Sequence, residues 1–273
     1  MLRTRVKSVL VFVPLMLVMI YLGGIPFQIF IALVLALAAW EYWRLLKTMG
    51  FRPSLLVILI GVLLLVTHRI LFGFRYTDLV IAGIIFLVAL HSLVCYERGD
   101  NGAITNFALH LSAILYLGWV GSYFITIRSI QNGIAGRWWL LTVIPIVWLV
   151  DMGAYTIGTP WGKHKMLPRL SPNKSWEGFA GGIVFGVASG ALLSLLWQKY
   201  LPDFQIWQGM LMGFVLAVLT PVGDIFISFL KREARVKDTS NLIPGHGGIL
   251  DRVDTWIWAS LIGYYMLQVF ERF

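Results

Sequence analysis

A chain of 273 residues that is 59% hydrophobic and 13% charged, with a mean hydropathy of +0.81, is not an ordinary soluble domain, which is about 45–50% apolar and about 25% charged. Its single cysteine, Cys95, excludes an intrachain disulfide. The formal net charge of +9 suits anionic lipid headgroups or nucleotide phosphates at a membrane surface, and no nucleic-acid partner is expected.

A bilayer core about 30 Å thick takes about 20 apolar residues of helix. On that measure the sequence predicts spans near 6–22, 25–46, 54–71, 77–96, 104–128, 138–158, 177–199, 205–230 and 253–271. The expected fold is all-α, a polytopic membrane protein with about nine transmembrane helices. Arg3, Arg5 and Lys7 precede the first apolar run, no small-residue cleavage site follows it, and the next run begins at Ile25, so the first span reads as retained. Only Gly23, Gly24 and Pro26 separate the first two spans, which leaves a re-entrant pair as the alternative. With nine spans, sixteen of the twenty-two Lys and Arg residues fall on the N-terminal side, which predicts a cytoplasmic N-terminus.

Residues 1–135 have short connections and read as structural, lipid-facing helices. Residues 136–273 differ, because two long connections, 159–176 and 231–252, are rich in Gly, Pro and charge, the composition in which functional loops are found. Asp151 interrupts an apolar run with Tyr155 one turn on. A carboxylate inside a span marks a site or pathway by default, and binding of metal or nucleotide stands beside a structural ion pair as readings of Asp151. The loop that follows holds Lys163, His164, Lys165, Pro168, Arg169, Ser171, Pro172, Asn173, Lys174 and Ser175. Either Ser171-Pro172 or Ser175 can open the next helix, and a helix N-terminus with lysines nearby attracts phosphate. Along that helix Gly178, Gly182, Gly186 and Gly190 recur every four residues, a smooth stripe for close packing within the chain or for a homodimer seam.

The densest polar stretch is 228–254. Just before it, Asp224 falls at i, Ser228 at i+4 and Lys231 at i+7, one face of a helix. Asp251 and Asp254 share a face where the last helix begins. If the helix ends meet, Asp224 and Asp251 are hard oxygen ligands for Mg²⁺, which takes one or two carboxylates together with phosphates and water; a second cation is left open. Between them Pro244-Gly245-His246-Gly247-Gly248 lets backbone N–H groups approach a phosphate. Lys231, Arg232, Lys237 and Arg252 stand by to neutralise it. For His246 a backbone hydrogen bond competes with phosphate contact.

This stretch resembles the signature of the phosphatidate cytidylyltransferases (CDP-diacylglycerol synthases): a serine, then Lys-Arg, Lys-Asp, His-Gly-Gly and Asp-Arg-x-Asp, here Ser228, Lys231-Arg232, Lys237-Asp238, His246-Gly247-Gly248 and Asp251-Arg252-Val253-Asp254. The loop from Ser171 to Gly178 is similar to that family's Ser-Pro-x-Lys-[Ser/Thr]-x-x-Gly, and Asp151 to Tyr155 to its Asp-x-x-Ala-Tyr. One position departs: family members commonly carry Glu immediately before the signature serine, and here it is Ile227.

The resemblance implies transfer of the cytidylyl group of CTP to phosphatidic acid, giving CDP-diacylglycerol and pyrophosphate, in a bacterial inner membrane with the site facing the cytoplasm. It implies catalytic roles for Asp224, Asp251, Lys231 and Lys237, with Asp224 and Asp251 as metal ligands. Substrate contacts fall to Asp151, Ser171, Lys174, Ser228, Arg232, Asp238, His246, Gly247, Gly248, Arg252 and Asp254. Three other readings compete, one of them a non-catalytic family member acting as a partner, to which Ile227 is the one pointer. A transporter would line its path with Asp151 and Asp224 and show repeated halves, and the sequence has no repeat. A CTP-using lipid kinase would act on a neutral alcohol, which needs a base.

Overall fold

The computed structural model describes residues 2–243, 245 and 247–270, with the backbone course alone for 2–11. Pro244 and His246 therefore lie outside the described residues. The chain is almost wholly helical: α1 (Leu2–Leu22), α2 (Gly24–Thr48), α3 (Leu55–Phe72), α4 (Thr77–Glu97), α5 (Ala103–Ala113), a π-helical stretch (Ile114–Val120), α6 (Tyr123–Arg128), a short 3₁₀ turn (Ile130–Gly133), α7 (Ile134–Trp161), α8 (Trp176–Trp197), α9 (Ile206–Leu219), α10 (Pro221–Glu233) and α11 (Leu250–Phe270).

Seven segments among the described residues are long and apolar enough to cross a membrane: Gly24–Thr48, Leu55–Phe72, Thr77–Glu97, Ala103–Arg128, Ile130–Trp161, Trp176–Trp197 and Ile206–Glu233. These answer to the second to eighth predicted spans. The first and last predicted spans are helical as α1 and α11 but stand outside this set, which covers the described side chains, those of Phe12–Leu22 in α1; α11 opens on Asp251, Arg252 and Asp254. The protein is an all-α integral membrane protein with one departure. Within the loop 159–176, β1 (Lys165–Leu167) and β2 (Ser171–Ser175) form an antiparallel hairpin, Lys165 opposite Ser175 and Leu167 opposite Ser171. The backbone N–H of Leu170 closes its turn on the Leu167 carbonyl at 3.2 Å.

By contact density the chain divides into two units, residues 1–126 with 230–252 and residues 127–229 with 253–273. The loop 231–252 thus belongs with the N-terminal helices. In the first unit Ser54 caps α3, its hydroxyl accepting from the Val57 N–H, and Gly73 ends that helix at φ +61°. The π-helical stretch packs where glycine makes room: a Cβ on Gly118 would stand 3.0 Å from the Val62 Cα, and one on Gly61 would meet the Ile114 side chain at 2.5 Å. Leu65, Ile84, Val88 and Ile114 form the apolar core there. Leu79, Phe86, Leu87 and Leu93 of α4 stay exposed, as lipid-facing side chains do.

In the second unit the glycine stripe of α8 is taken up by chain neighbours. A Cβ on Gly190 would collide with the Gly209 carbonyl, one on Gly186 would lie 2.7 Å from the Gly213 oxygen, and one on Gly178 would lie 2.8 Å from the Ala154 oxygen. Backbones of α7, α8 and α9 thus approach more closely than any larger residue permits. The predicted span 205–230 is divided at Thr220–Pro221. Proline at the first position of α10 has no N–H to continue the α9 ladder, and the last carbonyl engaged, that of Leu216, accepts both the Thr220 N–H at 3.0 Å and the Thr220 hydroxyl at 2.7 Å. Asp224 stands in the first turn of α10 as a result.

Candidate active site

The loop before α8 is built around Ser175. Its side chain, 3% exposed, accepts from the Gly178 N–H at 3.2 Å and so caps α8; of the two serines weighed for that task, Ser175 performs it and Ser171 opens β2. Glycine at 158, 162 and 178 allows this crowding, since a Cβ on Gly162 would stand 2.5 Å from the Ser175 Oγ and one on Gly158 3.2 Å from the Gly178 Cα. At the entry to the hairpin the Glu177 carboxylate accepts from the His164 backbone N–H at 3.2 Å and pairs with its Nδ1, while the Trp176 N–H donates to the His164 carbonyl at 2.9 Å.

The hairpin carries Lys174 to Asp224. Its Nζ lies 2.7 Å from Asp224 Oδ2, and the Ser228 hydroxyl donates to Asp224 Oδ1 at 3.3 Å. Both members of the pair are partly open, at 27% and 38% exposure. They line a cavity of about 600 Å³ with Asp151, Tyr155, Lys165, Ser171 and Asn173, and its apolar walls are Val150, Ala154, Met166, Phe179, Ala217 and Ile225. Thus Asp151, Ser171, Lys174 and Asp224, chosen from three separate stretches of sequence, share one cavity, and Ser228 touches one of them. Ile227, where the family pattern has Glu, is fully buried, so this side chain offers no polar substitute.

The second cluster lies wholly in the other unit. Lys231 Nζ donates to Asp251 Oδ1 at 2.6 Å, with side-chain exposures of 15% and 4%. Asp251 Oδ2 accepts from the Thr239 N–H at 2.9 Å, the Thr239 hydroxyl at 2.9 Å and the Gly248 N–H at 3.0 Å. Burial raises the Asp251 carboxyl, but the Lys231 bond and charge and the two N–H groups outweigh it and hold the group below its ordinary value. Gly247 sits at φ +82°, in the left-handed region, and a Cβ there would meet Asp251 Oδ2 at 2.7 Å and the Asp238 Cβ at 3.2 Å. Arg232, Lys237, Asp238 and Arg252 are exposed around this cluster. Asp254 is not: it is 4% exposed, and its Oδ1 accepts from the Thr255 N–H at 2.7 Å and hydroxyl at 3.1 Å.

One residue of this cluster escaped sequence reasoning. Glu41, in α2, is fully buried, and its carboxylate accepts from Thr239, Ser240, Ile249 and Leu250. The signal was present, since Glu41 is the only acidic residue in the 25 residues of α2, and the rule that singled out Asp151 and Asp224 applies to it equally.

Among the described residues no three His, Cys, Asp or Glu side chains are grouped to hold a metal by themselves. The donor chemistry nevertheless fits Mg²⁺. Asp224 and Asp251 each offer a carboxylate oxygen whose partner is a lysine ammonium, Oδ2 on Asp224 and Oδ1 on Asp251. A dication arriving with phosphates can displace such a partner, and it needs few carboxylates when phosphate and water complete its shell.

The family model described as "Cytidylyltransferase family" matches residues 3–270. The chain is 32% identical to a phosphatidate cytidylyltransferase of Bacillus subtilis over 98% of its own length and 97% of the relative's. It is 31% identical to one of Staphylococcus epidermidis, over 97% of each chain, and 28% identical to one of Synechocystis, over 96% and 95%. A match across all the described helices, together with the signature residues that cluster as set out above, makes this chain a member of the cytidylyltransferase family.

Proposed function

We propose that the protein transfers the cytidylyl group of CTP to phosphatidic acid, releasing pyrophosphate and leaving CDP-diacylglycerol in the membrane. The observation that carries this reading is the cavity in which Lys174 and Asp224 stand against apolar walls, a chemistry matched to a phosphate carried by a largely apolar or planar group. Family membership and the names of the relatives support it. The proposed topology is about nine spans with the N-terminus and the loops 159–176 and 231–252 on the cytoplasmic face of a bacterial plasma membrane, where CTP is available. The distribution of Lys and Arg supports that orientation.

A phosphomonoester oxygen of phosphatidic acid attacks the α-phosphorus of CTP. A new P–O bond forms, the bond from the α-phosphorus to the oxygen bridging to the β-phosphorus breaks, and pyrophosphate leaves with that electron pair. The nucleophile already carries about −1.5 to −2 charge near pH 7, so no strong base is needed. The obstacle is repulsion between two polyanions. Lys174, Lys231, Arg232, Lys237 and Arg252 reduce it by offering cations to the phosphates, and glycine at 247 and 248 keeps the backbone open to them. Asp224 and Asp251 are the proposed carboxylates for Mg²⁺, with a second cation left open; when bound, Mg²⁺ supplies further neutralisation of phosphate charge. Asp151, Ser171, Ser228, Asp238, His246 and Asp254 are the remaining proposed substrate contacts.

The test is an assay of purified protein with labelled CTP, with and without Mg²⁺. Phosphatidic acid is expected to yield labelled CDP-diacylglycerol and pyrophosphate in equal amounts. A long-chain alcohol in its place is expected to yield nothing; a phosphorylated alcohol with release of CDP would overturn the reading in favour of a lipid kinase.

A further inference from the structure

Glu41 has no part in the chemistry just described, yet it holds the segment that carries much of it. Its carboxylate lies in an apolar helix at 0% exposure, a placement tolerated only when its oxygens are satisfied. Oε1 accepts from the Ile249 N–H at 2.9 Å and from the Ser240 hydroxyl, and Oε2 accepts from the Leu250 N–H at 2.6 Å and the Thr239 hydroxyl at 3.0 Å. All four donors come from residues about 200 positions away in sequence. Two of them, Ile249 and Leu250, stand just before and at the start of α11, where backbone N–H groups have no partner within the helix and an acceptor is favoured.

The same few residues turn back on Asp251. The Thr239 hydroxyl lies 3.0 Å from Glu41 Oε2 and 2.9 Å from Asp251 Oδ2, and the neighbouring N–H groups of Gly248 and Ile249 go one to each carboxylate. A Cβ on Gly248 would meet the Thr239 Oγ1 at 2.0 Å and both Glu41 oxygens at 2.4 and 2.5 Å, so the backbone at 248 is seated directly on Glu41. Among the described residues of this segment, Leu242 is bonded to the Ser240 hydroxyl and Ile243 is bridged to Gly247.

We infer that Glu41 is a positioning residue for the cytidylyl transfer, holding Thr239, Ser240 and Gly248–Leu250 in the conformation that aims Asp251 and Lys231. This inference rests on the function proposed above, and its effect passes through Asp251 rather than through contact with substrate. An acceptor that receives two backbone N–H groups and two hydroxyls ties Thr239 and Ser240 on one side to Ile249 and Leu250 on the other, across a glycine-rich stretch.

Glu41→Gln tests it. The amide keeps the shape but turns one oxygen into a donor facing donors. Hydrogen–deuterium exchange of the purified protein without substrate is expected to speed up at Ile249 and Leu250 by about tenfold or more, the scale of a lost hydrogen bond to a charged group, with α3 unchanged. In the CTP and phosphatidic acid assay, kcat is expected to fall by about the same factor while the KM for each substrate stays within about twofold. Wild-type exchange at 249 and 250, or full kcat despite faster exchange, overturns the inference. If Glu41→Gln does not fold, Ser240→Ala decides: kcat about threefold lower at unchanged KM and melting temperature supports the inference, and unchanged kcat overturns it. A wild-type protein with no cytidylyltransferase activity defeats the functional reading alone, because the exchange measurement still reports whether Glu41 holds the segment.

Discussion

Lys174 with Asp224 and Lys231 with Asp251 are nearly equal in length, 2.7 and 2.6 Å, and unlike in everything else. The first pair is reached by a hairpin, is partly exposed, and shares Asp224 with a single hydroxyl. In the second, Asp251 is 4% exposed and receives four hydrogen bonds, three of them from the loop it supports. Separation alone therefore says little about what a lysine–aspartate contact does. A half-open pair gains little from its own attraction and can be exchanged for a ligand. A buried, fully bonded one loses more when either partner is deleted, and opens only to a ligand that replaces the lost charge, as a dication with its phosphates does.

The largest effect is expected from Asp251. Asp251→Asn should lower CDP-diacylglycerol formation by at least about a hundredfold, as loss of a placed charge does in active sites, measured at saturating CTP and phosphatidic acid. Asp251→Ala should also cost about 3–5 kcal/mol of stability by leaving Lys231 without its carboxylate, read from thermal or denaturant unfolding. The wild-type pair adds a pH dependence of known sign. Because the Asp251 carboxyl is held below its ordinary value when folded, its stabilisation is complete above the unfolded value of about 3.9 and is lost as pH falls through the folded one. The acid limb of a stability profile should be shallower in Asp251→Asn. Equal acid limbs would place the Asp251 pair with Lys174 and Asp224 rather than apart from it.

An intermediate effect is expected at Gly248. Gly248→Ala drives a methyl group into Thr239 and the Glu41 carboxylate, which should cost about 1–3 kcal/mol as overpacking does, with a matching fall in kcat. An alanine variant as stable and active as wild type would mean that the loop can leave Glu41 freely.

Lys174→Gln should do least to the fold. Its pair is exposed enough that stability should change by less than about 1 kcal/mol, while the KM for CTP or phosphatidic acid rises about tenfold, the scale of one charge-assisted bond to phosphate. Loss of stability as large as that in Asp251→Ala would erase the distinction between the pairs.

Much of this was legible in the sequence for physical reasons. Long apolar runs have few folds open to them, so seven predicted spans reappear as candidate spans. Carboxylates within such runs are conspicuous, so Asp151 and Asp224 were found and share a cavity. Ser175 was one of two candidate caps, and only side-chain geometry chose between it and Ser171. The hairpin 165–175 was missed because Pro168, Pro172 and the charged residues mask any alternation. Glu41 was missed because attention went to density of polar residues, whereas a lone acid in α2 meets its donors only after some 200 residues have folded back.

The hairpin has a consequence for how this chain can vary. The pairing is irregular, with the stretch from Ser171 to Ser175 opposing the shorter one from Lys165 to Leu167, so Lys174 reaches Asp224 through a bulged strand whose local geometry sets where its side chain is aimed. An extra residue within 171–174 would alter that bulge and carry the ammonium away from Asp224, whereas extra residues in the turn at 168–170 would merely lengthen it. Tolerance to insertion therefore falls abruptly over a few positions, and the chain's length there is constrained as tightly as its chemistry.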